Sequence, residues 1–356
     1  MRRERLEKIA KEAGFDAVGV ARAARATHAG AFHEWLAEGC HATMGWLARE
    51  PEKRCDPEIV LPGARSVIAL AMNYYLPDGP AEHGAVRGRI ARYARGRDYH
   101  HLIPKRLRAF DHALTAEGGR QRCFVDSGPI LERDFAAKAG LVWHGKSAMA
   151  VHPKLGTEFF LAAIITTIEL EEDMPMRDRC GKCARCIVAC PSNAIVAPHK
   201  VDARRCLSYW TIEHKGPLPE WIRPLLGDRI FGCDDCLDAC PWNRFAQTAQ
   251  EADFRARASS QWPLRDYLGL DDERFRKLFE GSPIRRAGRQ GFLRNVCTAL
   301  GNVGSEEDCP ALGKALLDSD PVVAEHAVWA IGQIGAATTA GASGGRKPAI
   351  TEGDGS

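Results

Sequence analysis

Apolar residues recur at helical spacing from Leu6 and stop at Gly14, which predicts an amphipathic first helix over residues 6–14 closed by a glycine. Short apolar runs at 17–21 and 67–71 predict strands, the second entered through Leu61-Pro62-Gly63. The helical period returns over 105–117, and 159–168 is a continuous apolar run expected to form a buried strand or strand pair. Alternation of strand and helix over residues 1–175 predicts an α/β domain built as a layered sheet.

The pattern then changes twice. Residues 177–245 lose apolar periodicity and fill with Cys, Pro and Gly, as in a loop-rich fold organised by bound metal. Further on, Ala299-Leu300-Gly301-Asn302-Val303-Gly304 is repeated as Ala330-Ile331-Gly332-Gln333-Ile334-Gly335, 31 residues later. Asp320-Pro321 between them suits an N-cap and first helical position. Helical units at that period resemble HEAT repeats. About one and a half copies make an appendage rather than a free-standing solenoid. The small, Gly- and Thr-rich residues from 336 onward are expected to be disordered. The expected fold class is therefore α+β multidomain: an α/β domain over 1–175, a ferredoxin-like domain over 176–245, a helical HEAT-like region over 260–338 and a tail over 339–356.

Composition narrows the function classes. With 356 residues and 45% hydrophobic content, the chain needs no disulfide staples. A net charge of +3 gives no global field for nucleic acid, so any basic patch must be local. No apolar segment follows Arg2-Arg3, and the longest apolar run is too short to span a bilayer. A soluble, cytoplasmic monomer without membrane contact is expected. There the 13 cysteines stay reduced, and clustered ones are metal ligands rather than disulfides.

The clustering is specific. Cys180, Cys183, Cys186 and Cys190-Pro191 follow the spacing of a two-cluster ferredoxin, whose fourth cysteine ligates the other cluster. Cys233, Cys236 and Cys240-Pro241 form a similar run with one cysteine missing. Two 4Fe–4S clusters need eight thiolates; the runs supply seven, and Cys206 between them is the eighth. By this logic Cys180, Cys183, Cys186 and Cys240 hold cluster one, and Cys190, Cys206, Cys233 and Cys236 hold cluster two. Structural zinc would call for two CxxC pairs closing one tetrahedron, which three cysteines at successive x2 spacings do not provide. Cys40, Cys55, Cys123, Cys297 and Cys309 have no partners at ligand spacing and read as ordinary buried thiols. Gly84-x3-Gly88 and Gly118-Gly119 lack the glycine pattern of a dinucleotide fingerprint.

Other strings carry a resemblance. They are Met44-Gly45-Trp46-Leu47, Pro51-Glu52-Lys53-Arg54, Leu61 to Val67, Ala91 to His100, Val125-Asp126-Ser127-Gly128-Pro129, Ala139 to Lys146, Arg205-Cys206-Leu207-Ser208-Tyr209, Thr211-Ile212-Glu213-His214 and Trp329-Ala330-Ile331-Gly332. Together they resemble the epoxyqueuosine reductase family over nearly all of residues 1–336.

The resemblance implies reduction of the epoxide of epoxyqueuosine, at the tRNA wobble position, to queuosine. It implies cobalamin in the N-terminal domain, two 4Fe–4S clusters, and tRNA held in part by the HEAT-like region. It places the proton donor at Asp126, for which a desolvated site and a raised pKa would suit; without the resemblance, Asp126 reads as a turn aspartate. Arg54, Ala91, Asp126, Lys146 and Ser208 fall at cobalamin-contact positions, although Ala91 stands where some relatives carry cysteine. Otherwise Arg54 and Lys146 read as surface charges and Ser208 as a cap.

His214, where some relatives carry lysine, and Lys215 are candidate tRNA contacts. Between Arg274 and Arg294 stand seven basic residues against Glu280, with Arg285, Arg286, Arg289 and Arg294 the expected phosphate contacts. Arg87–Arg108 is a second basic stretch; both stretches otherwise read as solvated helix faces. A flavodoxin- or ferredoxin-like donor is expected to supply electrons.

Two other readings use the same cysteines. A corrinoid reductive dehalogenase shares both cofactors but usually carries a twin-arginine signal and no HEAT-like tail. A non-catalytic ferredoxin-like carrier would need neither corrinoid nor Asp126.

Overall fold

The computed structural model describes residues 1–77 and 86–343. Its N-terminal core is a four-stranded sheet in the order Ala17–Arg22, Ser66–Asn73, Phe159–Thr166, Gln121–Phe124, with every neighbouring pair antiparallel. Strand and helix do alternate as expected, but the sheet is antiparallel.

Strand Ser66–Asn73 is buried along its whole length because both faces are covered. Ile68, Leu70 and Met72 meet helices Arg3–Glu12 and Tyr99–Ala116 through Leu6, Ile103, Leu107 and Phe110. Val67, Ala69 and Ala71 meet helix Glu132–Lys138 through Phe135 and Ala136. Small residues on that second face let the helix sit close: a Cβ on Gly19 would lie 2.3 Å from the Ala139 carbonyl oxygen.

Several expectations need adjustment. Residues 159–168 form one strand, Phe159–Thr166, rather than a pair. The helix expected at 105–117 begins at Tyr99, where the Asp98 carboxylate accepts the His100 N–H at 3.0 Å. Edge strand Gln121–Phe124 was not expected. Helix Pro321–Ser343 runs through the first residues of the expected tail; the remainder of the tail, and Gly84, lie outside the described residues. Cys40, Cys55 and Cys297 are buried, but Cys123 and Cys309 are only half-buried.

The C-terminal helices Gly288–Val303 and Pro321–Ser343 pack directly on each other. In the first copy of the repeated string a Cβ on Gly301 would lie 2.6 Å from the Trp329 ring, so glycine permits the approach; the matching Gly332 faces open space. Their core extends to Ile90, Ala94, Ile230 and Phe231. The last two belong to strand Arg229–Phe231, which pairs in parallel with Arg89–Ile90. One apolar core thus ties the N-terminal segment, the cysteine-rich segment and the C-terminal helices together. Among the described residues no helix is long and apolar enough to cross a membrane.

Candidate functional site

The loop after strand Gln121–Phe124 turns sharply at Asp126, a non-glycine residue at φ +56°. Such backbone is held only where its surroundings over-determine it. The Asp126 N–H donates to Glu132 Oε1 at 2.8 Å, and Arg54 Nη1 donates to the Gly128 carbonyl at 3.0 Å. Arg54 Nη2 donates to the Trp46 carbonyl at 3.2 Å, which ties the 44–47 segment to the Asp126 loop. Its buried Nε has no partner.

Tyr99 Oη donates to Asp126 Oδ2 at 2.7 Å, and His100 Nε2 lies 3.4 Å from the same oxygen. His100 Nδ1 is 2.9 Å from Asp98 Oδ1, so the imidazole bridges two carboxylates. Hydrogen bonding to Asp126 and then to Asp98 raises His100 to about 9 against the pull of burial. Burial would raise Asp126, but hydrogen bonds from His100 and Tyr99 outweigh it and hold the carboxyl below its ordinary value. The raised pKa expected for this aspartate is therefore not what its neighbours produce. The proton resides on His100 instead. Burial, with the Asp126 charge adding to it, pushes Glu132 up to about 8. Asp126 is 64% exposed, so water moderates these interactions.

A cleft of about 480 Å³ lies between Thr43, Trp46, Glu213, His214, Lys215 and Arg286. Arg286 forms a bidentate pair with Glu213 at 3.0–3.1 Å and lies 5.0 Å over the Trp46 ring. Its charge also reaches Asp126 and Tyr99, so cleft and carboxylate share one electrostatic environment.

The cysteines fall into two groups. Burial pushes the Cys240 thiol up, and the thiols that add to this are Cys180, Cys186 and Cys183. Burial likewise raises Cys236, whose neighbouring thiols are Cys206, Cys233 and Cys190. Each group thus takes one member from the other run. No three of these sulfurs lie mutually within 4.8 Å among the described residues. A zinc tetrahedron with bonds of about 2.3 Å would hold them about 3.8 Å apart. Ala42 and Met44, on either side of the cleft residue Thr43, pack against the same apolar cluster that Cys206 and Cys233 meet.

The other expected contacts scatter. Ser208 Oγ donates to the Cys233 carbonyl at 3.5 Å, beside the second group. Ala91 is buried against Gly232, whose added Cβ would sit 2.5 Å from the Ala91 methyl. Lys146 Nζ donates to the carbonyls of Gly181 and Cys183 at 2.6 and 2.9 Å, clamping the first cysteine loop. His214 Nε2 is 3.0 Å from the Pro217 carbonyl, and Lys215 Nζ donates to the Arg286 and Ala287 carbonyls at 3.0 and 3.1 Å.

Arg285 and Arg286 are exposed at the cleft edge, whereas Arg289 is half-buried and paired with Asp318. Arg294 is not open to a phosphate. Its side chain is fully buried and donates to the carbonyls of Trp210, His214 and Gly216 at 2.6–3.2 Å. The basic count over 274–294 therefore overstates the charge that a ligand meets. Arg294→Met would leave those carbonyls without their donor and lower stability by about 3 kcal/mol. A thermal melt checks it; an unchanged midpoint would contradict the internal role.

Sequence reasoning gave no role to Tyr99, His100 or Glu132. The one available signal was the string Asp98-Tyr99-His100, an imidazole two residues from a carboxylate at a helix start.

Comparison with known proteins fits this arrangement. A family model described as "Epoxyqueuosine reductase QueG, DUF1730" matches residues 54–127, and one described as "4Fe-4S double cluster binding domain" matches residues 179–243. An epoxyqueuosine reductase of Xanthomonas campestris is 43% identical over 339 residues, which is 93% of this chain and 96% of that protein. One from Escherichia coli is 40% identical over 342 residues, 93% of this chain and 89% of the relative. A crystal structure of an epoxyqueuosine reductase with an epoxyqueuosine-modified tRNA stem loop matches with a TM-score of 0.87 and 29% identity, covering 97% of this chain and 94% of that one. The structure of the Streptococcus thermophilus enzyme matches at 0.86 and 26%, with the same coverage. With identity at that level over nearly the whole of both chains, this chain belongs to the epoxyqueuosine reductase family.

Proposed function

We propose that this protein reduces the epoxide of epoxyqueuosine, at the wobble position of a tRNA, to the alkene of queuosine. The observation that carries this reading is the meeting of Asp126 and its proton-bearing neighbour His100 within the field of Arg286, which lines the cleft, in a chain of this family. Removal of the epoxide oxygen breaks two C–O bonds and forms an alkene and water, and takes two electrons and two protons.

The residues present suit each cofactor. The two cysteine groups each offer four thiolates to a 4Fe–4S cluster. The cleft, with the unpartnered Nε of Arg54 near its Trp46 wall, suits the amide-rich rim of a corrinoid. Arg54 and Ser208 would help hold that group, while Lys146 keeps the first cluster loop in place. Bound cobalamin would supply the low-valent cobalt that delivers electrons to the epoxide.

The protein's own part is the protons. At neutral pH His100 carries one and Glu132 holds a second. Asp126 stands between them, accepting from Tyr99 and His100 while its N–H binds Glu132. We read Asp126 as the carboxylate through which the His100 proton passes to the departing oxygen. Loss of the Glu132 proton then lowers activity as pH rises through about 8, and loss of the His100 proton adds a further fall through about 9. His100→Gln removes that alkaline limb from kcat; a profile identical to wild type would reject the relay.

The tRNA is read as lying over the C-terminal, HEAT-like helices, with Arg285, Arg286 and Lys215 meeting phosphate at the cleft edge. Arg285→Gln is expected to weaken stem-loop binding a few-fold at low salt and to lower the log–log salt slope by about one. A titration at several salt concentrations measures both, and an unchanged slope would remove Arg285 from the interface. Electrons are read as arriving at the first cluster from an acidic flavodoxin- or ferredoxin-like protein. Arg177, Arg179, Lys182 and Arg185 are all exposed there. The protein is read as a cytoplasmic monomer.

The direct test is anaerobic reconstitution. The protein should take up about eight irons and one cobalamin and convert an epoxyqueuosine-bearing stem loop. A carrier alone would bind iron without a corrinoid spectrum and without turnover.

A further inference from the structure

Three ligand-type side chains that the reduction does not use converge elsewhere. His28 precedes helix Ala29–Ala37, Asp134 lies in helix Glu132–Lys138, and His144 ends the two-residue strand Trp143–His144. One ligand atom from each lies within 4.8 Å of the others. His28 Nδ1 contacts Asp134 Oδ1 closely, and His144 Nε2 is 3.9 Å from the same oxygen. The two rings meet edge to face with centroids 4.7 Å apart.

We propose that His28, Asp134 and His144 form a third metal site, which binds one divalent ion of the zinc class through two imidazoles and a carboxylate. Asp134 is only 3% exposed, and it is fixed in place: Oδ2 accepts the Thr27 N–H at 2.7 Å and Oδ1 the His28 N–H at 3.2 Å. A buried carboxylate held in this way is a ready anionic ligand. His144 Nε2 is buried and has no hydrogen-bond partner, so its lone pair points into the protein with nothing to meet it. Such an orphan atom is costly to bury, and a metal ion would relieve that cost.

Tetrahedral zinc with bonds of 2.0–2.1 Å needs ligand atoms about 3.3 Å apart. The His144 gap must therefore close by about half an ångström, within the reach of side-chain adjustment. His28 is 56% exposed, which leaves a side open for a water as fourth ligand.

A plain His28–Asp134 ion pair is the competing account. It satisfies His28 but leaves His144 Nε2 orphaned, and it predicts that His144 has no bearing on metal. The site would brace three elements, one of them the helix whose Glu132 binds the Asp126 N–H. Its expected effect is on stability rather than on the reaction.

The test uses the reconstituted holoenzyme, with its cysteines already filled by iron, and zinc chloride as probe. After gel filtration, about one zinc per chain should remain, and zinc X-ray absorption should show nitrogen and oxygen neighbours with imidazole scattering and no sulfur near 2.3 Å. Zinc should raise the melting temperature. His28→Ala and His144→Ala should each weaken zinc at least about tenfold and abolish the melting shift while keeping the full iron content. Absence of retained zinc, sulfur in its coordination shell, or wild-type affinity in His144→Ala would each overturn the proposal.

Discussion

Asp126→Asn is expected to retain both clusters and the corrinoid while kcat falls by about 10²–10⁴. An asparagine there can still accept from the Tyr99 hydroxyl, so the loop should keep its shape. The left-handed backbone at φ +56° is tolerated by asparagine as well as by aspartate. The amide, however, is neither basic enough to take the His100 proton nor acidic enough to pass one to the leaving oxygen. It also removes the largest influence that raises His100, which would drop from about 9 toward an ordinary imidazole. Two features of the proton supply are lost in one substitution. Single-turnover assays on an epoxide-bearing stem loop, with chemically reduced enzyme, isolate this step from electron delivery. Near-normal single-turnover rates with intact cofactor content would remove Asp126 from proton transfer. A matching loss in stem-loop affinity would instead make it a substrate-binding group.

The chemistry legible in the sequence was that set by short local spacing. Three cysteines two residues apart, followed by Cys-Pro, fix a cluster loop whatever the rest of the chain does, and a count to eight draws in Cys206. Strands 66–73 and 159–166 were legible because each carries a continuous apolar run, 67–72 and 159–165. Strand Gln121–Phe124 was not, since four residues at a sheet edge carry too little pattern.

The proposed proton relay was hidden for a different reason. Asp126, His100 and Glu132 come from a turn, a helix start and another helix, and only the antiparallel sheet brings those ends together. Asp126 itself stood out through family resemblance alone. Arg294 misled because its charge was counted without its surroundings. Arg294 stands inside the run Phe292-Leu293-Arg294-Asn295-Val296-Cys297, where apolar neighbours precede and follow it, a pattern that already signals a buried position.

Cys206→Ser should reduce iron from about eight to about four per chain and abolish turnover. Serine is close to cysteine in volume and suits the N-cap position of Cys206 at the start of helix Leu207–Ile212, so the side chain itself introduces no clash. A hydroxyl is a poor ligand for iron–sulfur clusters, and Cys190, Cys233 and Cys236 are left as three thiolates around four irons. The other group is untouched, so one cluster should persist in the reduced spectrum. Electrons could then reach the first cluster but would have no second cluster to pass to. Cys309→Ser, remote in sequence from both runs, should leave the iron content unchanged. The crossed grouping has its own test in Cys240→Ser. Although Cys240 belongs to the later run, its neighbours are Cys180, Cys183 and Cys186, so its loss should strip the cluster of the earlier run. If Cys206→Ser and Cys240→Ser removed the same cluster, as judged by the spectrum of the survivor, each run would be filling its own site and the crossed arrangement would fail.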